Sequence, residues 1–264
     1  MQSQIDLVAD LGEGFGDWSM GDDAALLEIV SSANVACGFH AGDPRIMDAT
    51  ARACAERGIQ IGAHPSFPDL VGFGRRAMDL TAEQVRTDVL YQIGALSAFA
   101  AAHGTRVRHV APHGRLGNLV AVRADYAAAV CDAVEAVDPE LIVVAQDGEL
   151  ADEARRRGLA VGIVGIVDRA YRPDGTLVPR SEPRAVIHDL DTLVARAVRI
   201  ATEGTLEAVD GTVLEVRADS LLLHGDNAGA VATARAIRDG LTAAGVTVAP
   251  MADVLDRAGR ESRG

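Results

Sequence analysis

Short apolar runs alternate with longer segments of helical periodicity along almost the whole chain, and this alternation restricts the fold more than any other feature of the sequence. The apolar runs are residues 5–10, 34–37, 60–63, 108–111, 141–145, 160–166 and 220–224. The helical patterns are residues 22–30, 44–57, 81–103, 124–137, 148–157, 189–203 and 228–244. Such an alternation is typical of βαβ units and of a parallel sheet. We therefore predict an α/β barrel of seven or eight units, with an open doubly wound sheet as the alternative.

The length fits a single domain. The chain has 264 residues, and ~250 residues is the usual size of one β/α barrel. No internal repeat, low-complexity tract or linker interrupts residues 1–264, so we predict one domain with a core at about 5–249. Residues 246–249 are interpreted as an eighth strand or as a tail on the barrel. Residues 206–216 alternate like a β-hairpin whose turn is at Asp210 and Gly211.

Polar side chains gather directly after the apolar runs, where the predicted strands end. They are Asp10 and Glu13 after the first run, His40 after the second, His64 after the third, His113 and Asn118 after the fourth, Asp168 and Arg169 after the sixth, and His224, Asp226 and Asn227 after the seventh. The carboxyl ends of parallel strands converge on one face, where such folds build their active sites. We therefore predict that the four strand-end histidines share one crevice. The other three, His103, His109 and His188, are interpreted as structural.

Histidines beside carboxylates indicate general acid–base chemistry or metal binding. His109 and His113 would lie ~13 Å apart on an extended strand, which is too far to share a metal. A divalent metal held from separate strands, for instance by Asp10, His40 and His64, stays open as the alternative. The missing G-x-S-x-G elbow argues against a serine hydrolase, and G-x-G-x-G at residues 12–16 is a weak nucleotide signal.

The basic residues are all arginine, which removes several chemistries. None of the 25 basic residues is a lysine, so the chain has no Schiff-base, pyridoxal phosphate or P-loop lysine. The formal net charge of −13 argues against a nucleic acid or an anionic membrane as partner, and no apolar run approaches the ~20 residues that span a bilayer. Three cysteines without a C-x-x-C pair, and an N-terminus without a basic and apolar leader, favour a cytoplasmic protein.

The strand-end motifs resemble those of the LamB/YcsF family, and the similarity runs from Ile5 to about Ala249. The matching segments are D-L-G-E-G at 10–14, S-S-A-N-V-A-C-G-F-H-A-G-D at 31–43, I-G-A-H-P-S-F-P-D at 61–69, G-F-G-R at 72–75, Y-Q-I-G-A-L at 91–96, P-H-G at 112–114, D-R at 168–169, L-V-P-R at 177–180 and H-G-D at 224–226. The resemblance implies an irregular seven-stranded β/α barrel related to glycoside hydrolases and deacetylases.

The resemblance also implies a reaction. Family members open the lactam of 5-oxoproline (pyroglutamate) to L-glutamate while ATP becomes ADP and phosphate, and they work with two further 5-oxoprolinase subunits of the B and C types. For that reaction we expect catalytic roles, in positioning water and moving protons, for Asp10, Glu13, His64, His113 and Asp226. We expect substrate contacts from His40, Arg75, Asn118, Asp168, Arg169, Arg180 and His224, with an arginine on the substrate carboxylate. ATP is assigned to a partner subunit, because no ATP site is visible in this chain.

The sequence departs from the family pattern at four places. Val8 stands where asparagine is usual, Ala111 where lysine is usual, and Gly117 where tyrosine is usual, and residues 164–167 lack a usual glutamate. These departures keep two alternatives open beside the lactam-opening activity. One is a diverged metal-dependent deacetylase or amidohydrolase, and the other is a non-catalytic binding subunit.

Overall fold

Seven parallel strands close into a barrel in the computed structural model, which describes residues 4–226 and 229–261. The strands of the ring are β1 (Gln4–Leu11), β2 (Ser32–Ala36), β3 (Gln60–His64), β4 (Val107–Val110), β5 (Ile142–Ala145), β6 (Val161–Ile166) and β9 (Ser220–Leu223). Each strand pairs with the next, and β9 pairs with both β6 and β1, which closes the ring. The predicted barrel is therefore confirmed, and the open sheet is wrong. Asn227 and the start of the helix predicted from residue 228 lie outside the described residues.

Among residues 4–226 and 229–261, three short strands lie outside the ring. The hairpin predicted around Asp210 and Gly211 is confirmed by antiparallel pairing of β7 (Thr205–Glu207) with β8 (Val213–Glu215). The segment at 246–249 contains β10 (Thr247–Val248), which pairs in parallel with the first residues of β1. It extends the sheet at one edge without entering the ring, because β1 is already paired with β2 and β9 further along.

Helices connect the strands and cover the barrel. They are α1 (Asp23–Leu27), α2 (Pro44–Arg57), α3 (Ala82–Ala102), α4 (Gly114–Val120), α5 (Ala124–Val137), α6 (Glu149–Arg157), α7 (Leu190–Glu203), α8 (Ala230–Ala243) and α9 (Met251–Glu261). Helix α3 begins with a capping box between Thr81 and Gln84, as its sequence predicts. In the described part of the chain, none of these helices combines the length and apolarity needed to cross a membrane.

The sequence prediction differs from these helices at three places. Helix α1 is shorter than the predicted 22–30, because the chain must turn at Glu28 to enter β2. Helix α4 was not predicted, since its two glycines and the preceding proline read as a loop. Helix α9 was also missed, beyond the expected core. The seven-residue α4 matters most for the site, because it begins directly after His113.

A buried carboxylate ties three strands together near the amino-terminal end of the barrel. Asp6 is fully buried and accepts hydrogen bonds from the hydroxyls of Ser31 and Ser32 at 2.7 Å and of Ser220 at 2.6 Å. Burial raises the pKa of Asp6 to about 6, although these hydrogen bonds oppose the increase. At neutral pH the barrel therefore holds a charge that lacks a cationic partner among the groups bonded to it.

The stability of the Asp6→Asn variant, relative to the wild type, is expected to be higher at pH 7 than at pH 4. The pKa of Asp6 is higher in the folded protein than the ordinary 3.8, so its contribution to folding is complete below pH ~4 and is lost as pH rises through about 6. The free energy of unfolding of the variant, relative to the wild type, should increase by roughly 2 kcal/mol between pH 4 and pH 7. Urea unfolding at both pH values measures this difference. An offset between variant and wild type that does not change with pH would contradict the prediction.

Candidate active site

A crevice of about 1330 Å³ opens at the carboxyl ends of the barrel strands. Its lining includes several of the residues predicted for the site, namely Asp10, His64, Arg75, His113, Asn118, Arg169, Arg180 and His224. Glu13 and His40 are buried beside His113. Asp226 is bonded to Arg75, and Asp168 to His224. The structure therefore brings residues from β1, β2, β3, β4, β6 and β9 to one face, as expected for a parallel barrel.

Four buried side chains form a compact cluster next to the crevice. Glu13, His40, His64 and His113 each offer one ligand atom, and these atoms all lie within 4.8 Å of one another. The rings of His40 and His113 are stacked at 3.8 Å with an interplanar angle of 7°. Glu13 Oε1 lies 3.2 Å from His40 Nε2 and 3.5 Å from His113 Nδ1. We call these four residues the His–Glu cluster.

Backbone carbonyls fix which nitrogens of the cluster are free. His64 Nδ1 donates to the carbonyl oxygen of Ala111 at 2.5 Å, and His113 Nε2 donates to that of Phe73 at 2.9 Å. In the neutral rings, His64 Nε2 and His113 Nδ1 then carry lone pairs, and they lie only 3.0 Å apart. Burial holds the pKa of His113 well below its usual value, which favours the neutral ring. Two such lone pairs need a shared cation between them, either a proton or a metal ion.

The His–Glu cluster has the chemistry of a divalent metal site. Neutral imidazoles and a carboxylate are ordinary ligands of zinc and similar ions. Backbone carbonyls that orient the outer nitrogens of His64 and His113 are typical supports of metal-binding histidines. In addition, buried His40 Nδ1 has no hydrogen-bond partner among the described residues. The cluster could therefore hold a divalent metal, and it differs from the set considered from the sequence, since Glu13 and His113 replace Asp10.

The loop between β3 and α3 closes over these histidines. Phe73 takes a positive φ of 54°, its carbonyl accepts from His113, and its ring packs edge-on against His40 and His113. Gly74 follows with a φ of +65° and no room for a side chain, because a Cβ would lie 2.2 Å from Ser66 Oγ and 2.9 Å from His113 Cδ2. The loop conformation and the histidine geometry therefore depend on each other.

The two carboxyl groups of the D-L-G-E segment differ in acidity. Burial opposes ionisation of Asp10, but positive charge at the adjacent His64, 3.3 Å away, such as the cation that His64 shares with His113, outweighs it and holds the pKa of Asp10 below its usual range. Burial and the charge of Asp10 raise the pKa of Glu13 well above its usual value. Environments that separate the pKa values of neighbouring carboxyl groups are typical of catalytic acid–base pairs.

The three arginines predicted for the substrate carboxylate differ in the hydrogen bonds that they make within the described residues. Arg169 donates to the carbonyls of Val178 and Ala185, so it holds its own loop together. Arg75 donates to Asp226 at 2.6 Å. Arg180 makes no side-chain hydrogen bond or ion pair to any residue that the structure describes. Burial and the charge of Arg75 lower the pKa of Arg180, and the carboxylates of Asp226, Asp168 and Asp10 oppose this decrease only in part.

The remaining predicted residues lie around the crevice. His224 Nδ1 is 2.8 Å from Asp168 Oδ1, and Asn118 is exposed on α4 at the rim. His103 contacts Asp48, and His188 is exposed, so neither lies with the strand-end histidines. His109 is fully buried inside the barrel and bonds to Asn34 and Gln60, which were not predicted. Asn34 and Gln60 could have been identified from the sequence as polar residues in otherwise apolar strands.

Three of the four departures from the family pattern line the crevice, namely Ala111, Gly117 and Val164. Val8 is buried in the core instead. At Gly117 a Cβ would lie 2.5 Å from the carbonyl oxygen of Pro112, so the first turn of α4 has no room for a tyrosine in its present position. Arg115 also lines the crevice, and its buried Nε has no partner within the described residues.

The chain is similar to a family model, to named relatives and to solved structures. The model of the LamB/YcsF family matches residues 5–256. A relative from Mycolicibacterium paratuberculosis, named as the A-type subunit of 5-oxoprolinase, is 53% identical over 245 residues, covering 92% of this chain and 97% of the relative. The crystal structure of a lactam utilization protein from Thermus thermophilus is 46% identical with a TM-score of 0.88, covering 93% and 99%. A deacetylase solved with its substrate shares the fold at 16% identity and a TM-score of 0.51, covering 96% and 92%.

Proposed function

Because the chain belongs to the LamB/YcsF family, we propose that it is the lactam-opening subunit of an ATP-dependent 5-oxoprolinase. The observation that carries the proposal is the convergence of Asp10 and the His–Glu cluster at a crevice that also contains Arg180, which is unpaired within the described residues. The relative at 53% identity bears the name of the A-type subunit of that enzyme. We also propose that two further subunits, of the B and C types, complete the enzyme and bind ATP.

The reaction explains why ATP is needed. A lactam carbonyl is a poor electrophile, and transfer of the γ-phosphoryl group of ATP to its oxygen makes the carbon reactive. Water then adds to this carbon, the ring C–N bond breaks, and the nitrogen takes up a proton. A second water releases phosphate from the resulting acyl phosphate. In total, 5-oxoproline, ATP and two waters give glutamate, ADP and phosphate.

Asp10 is the residue best suited to take the proton of the attacking water. Its pKa is held low and it lines the crevice, so it is ionised and accessible to the substrate. Asp226 and the Arg75 bonded to it would contact the reacting groups from the β9 side. His224, held by Asp168, and Asn118 at the rim are proposed to contact the substrate. Arg169, which is bonded to its own loop, is proposed to shape the crevice.

Glu13, His40, His64 and His113 would hold a divalent cation, in keeping with the lone pairs that face each other in the cluster. When bound, such an ion supplies a Lewis acid and lowers the pKa of a coordinated water. Hydrogen bonds to the backbone carbonyls of Ala111 and Phe73 orient two of these histidines, His64 and His113.

The purified protein is therefore expected to contain about one equivalent of divalent metal. His64→Ala and His113→Ala should each lose most of it, because each removes a ligand nitrogen from the cluster. Elemental analysis after gel filtration measures the metal content, and His188→Ala, a change at an exposed histidine, should retain it. If metal-free protein supports full activity in the assembled enzyme, the cluster instead shares a proton and acts only in acid–base chemistry.

Arg180→Ala is expected to raise the KM for 5-oxoproline by roughly 10- to 100-fold, with kcat within a few-fold of wild type. A guanidinium–carboxylate hydrogen bond contributes ~1.5–3 kcal/mol, and Arg180 is the predicted arginine that has no partner within the described residues. Steady-state kinetics of the assembled enzyme measures both constants. Arg184→Ala changes an exposed arginine of the same loop and should leave KM unchanged. Equal effects of the two substitutions would count against this role.

The function itself is tested by reconstitution. The chain is mixed with the B- and C-type subunits, and glutamate release from 5-oxoproline is measured with and without ATP. We expect release only in the complete mixture with ATP. An assembled complex that produces no glutamate would favour a binding subunit instead.

One observation favours a second candidate, because the His–Glu cluster could support metal-dependent amide hydrolysis by this chain alone. That activity would need no ATP and would be sensitive to a chelator. Hydrolysis of 5-oxoproline or of an acetylated sugar by the isolated chain would select this candidate.

A further inference from the structure

A chain of four hydrogen bonds runs through the barrel interior and ends on Asp10. The backbone N–H of Ala252 donates to Gln60 Oε1 at 3.0 Å, and Gln60 Nε2 donates to His109 Nδ1 at 3.0 Å. His109 Nε2 then donates to Asn34 Oδ1 at 2.8 Å, and Asn34 Nδ2 donates to Asp10 Oδ1 at 2.9 Å. All four side chains are buried, with exposed fractions between 0% and 8%.

The direction of this chain is determined at its far end. A backbone N–H can only donate, so Gln60 must present its oxygen to Ala252 and its NH₂ group to His109. Nδ1 of His109 therefore accepts, which places the ring hydrogen on Nε2. Asn34 must in turn offer its oxygen to His109 and its NH₂ group to Asp10. The orientation of each group therefore determines the orientation of the next group in the chain of hydrogen bonds.

We propose that Gln60, His109 and Asn34 are positioning residues that orient the Asp10 carboxylate for the reaction. They hold Oδ1 of Asp10 from inside the barrel, and the same oxygen lies 3.3 Å from His64 Nε2, so the carboxylate is fixed against the His–Glu cluster. The inference rests on the proposed function, which makes Asp10 the proton acceptor. Asn34 cannot pass a proton along through its amide, so the chain orients Asp10 and does not conduct protons to it.

The ring of His109 occupies a space inside the barrel that exists because residue 62 is a glycine. On the neighbouring strand β3, a Cβ at Gly62 would lie 1.9 Å from His109 Nε2, so any larger residue would occupy the position of the ring. The pairing of β3 with β4 also shifts register between Ile61 and Gly62, where His109 is paired. Burial lowers the pKa of His109 to about 3, which keeps the ring neutral with one donor and one acceptor.

Histidine NMR tests the direction of the chain without reference to any reaction. Long-range ¹H–¹⁵N spectra of the full chain should show His109 as the neutral Nε2–H form from pH 5 to pH 8, with its signals identified by their absence in His109→Gln. A ring with the hydrogen on Nδ1, or one that takes up a second proton in this range, would overturn the inference. This measurement holds even if the chain does not open 5-oxoproline, so failure of the proposed function is recognised separately.

Kinetics of the reconstituted enzyme tests the effect on Asp10. His109→Leu, which removes donor and acceptor, should lower kcat 10- to 100-fold with an unchanged KM for 5-oxoproline. His109→Gln, which can accept from Gln60 and donate to Asn34, should return kcat to within about threefold of wild type. If His109→Leu does not fold, Gln60→Met tests the same point further from Asp10, with a smaller loss of kcat. A folded His109→Leu with wild-type kcat, or equal losses for leucine and glutamine, would overturn the inference.

Discussion

Replacement of His64 or His113 by alanine is expected to lower ATP-dependent glutamate release by roughly 10²- to 10⁴-fold, the range that general acid–base groups contribute. The two free ring nitrogens lie 3.0 Å apart, beside Asp10 and Glu13, so either change removes one half of the shared cation site. The assay is glutamate release by the chain combined with its two partner subunits. The loss should appear in kcat, because neither histidine is assigned to the substrate carboxylate.

The matched control is His188→Ala, since His188 is exposed and outside the crevice lining. This variant should retain wild-type turnover. Thermal unfolding of each variant separates a chemical effect from a loss of fold. Wild-type turnover in both His64→Ala and His113→Ala, with the complex assembled, would remove these residues from the mechanism.

Gly74→Ala is expected to lower the free energy of unfolding by roughly 2–4 kcal/mol and glutamate release by more than about 100-fold. The left-handed backbone at Gly74, with a φ of +65°, alone penalises alanine by ~1 kcal/mol. In addition, the new Cβ would lie 2.2 Å from Ser66 Oγ, 2.9 Å from His113 Cδ2 and 3.0 Å from His40 Cβ. The methyl group must therefore displace part of the His–Glu cluster.

Gly58→Ala separates the two contributions. Gly58 ends α2 with nearly the same φ, +66°, and no atom of the described residues lies within 4 Å of the place that an added methyl group would take, so only the backbone penalty applies there. We expect a loss of ~1 kcal/mol in stability and no change in turnover for this variant. Chemical denaturation and the glutamate assay measure both. Similar results for Gly58→Ala and Gly74→Ala would show that Gly74 matters only for its backbone.

Much of the fold was predictable because its signals are local. Apolar runs of strand length, the proline at the start of α2 and the capping box of α3 act within a few residues of themselves. Helix α4 was missed because its glycines and the preceding proline indicate a loop. It forms because the residues after His113 pack against the β3–α3 loop, where Arg115 donates its backbone N–H to the carbonyl of Gly74.

The site was predictable in its location and less so in its details. A parallel barrel brings strand ends together, so the positions of Asp10, His64 and His113 already indicated one crevice. The separate tasks of Arg75, Arg169 and Arg180 depend on which carbonyl or carboxylate lies beside each guanidinium. Those partners are up to 151 residues away in the chain, and no pattern of spacing reports them.

The sequence by itself therefore determined the barrel class, the family motifs and the face on which the polar residues meet, because these follow from local periodicity and from the geometry common to parallel sheets. The absence of lysine also followed from the sequence and removed whole classes of chemistry. Only the tertiary structure decided that Glu13 joins three histidines, that Arg180 lacks the carbonyl or carboxylate partners of Arg169 and Arg75 in the described part of the chain, and that His109 supports Asp10. These facts depend on distances between side chains from different strands, and such distances are defined only when the barrel closes.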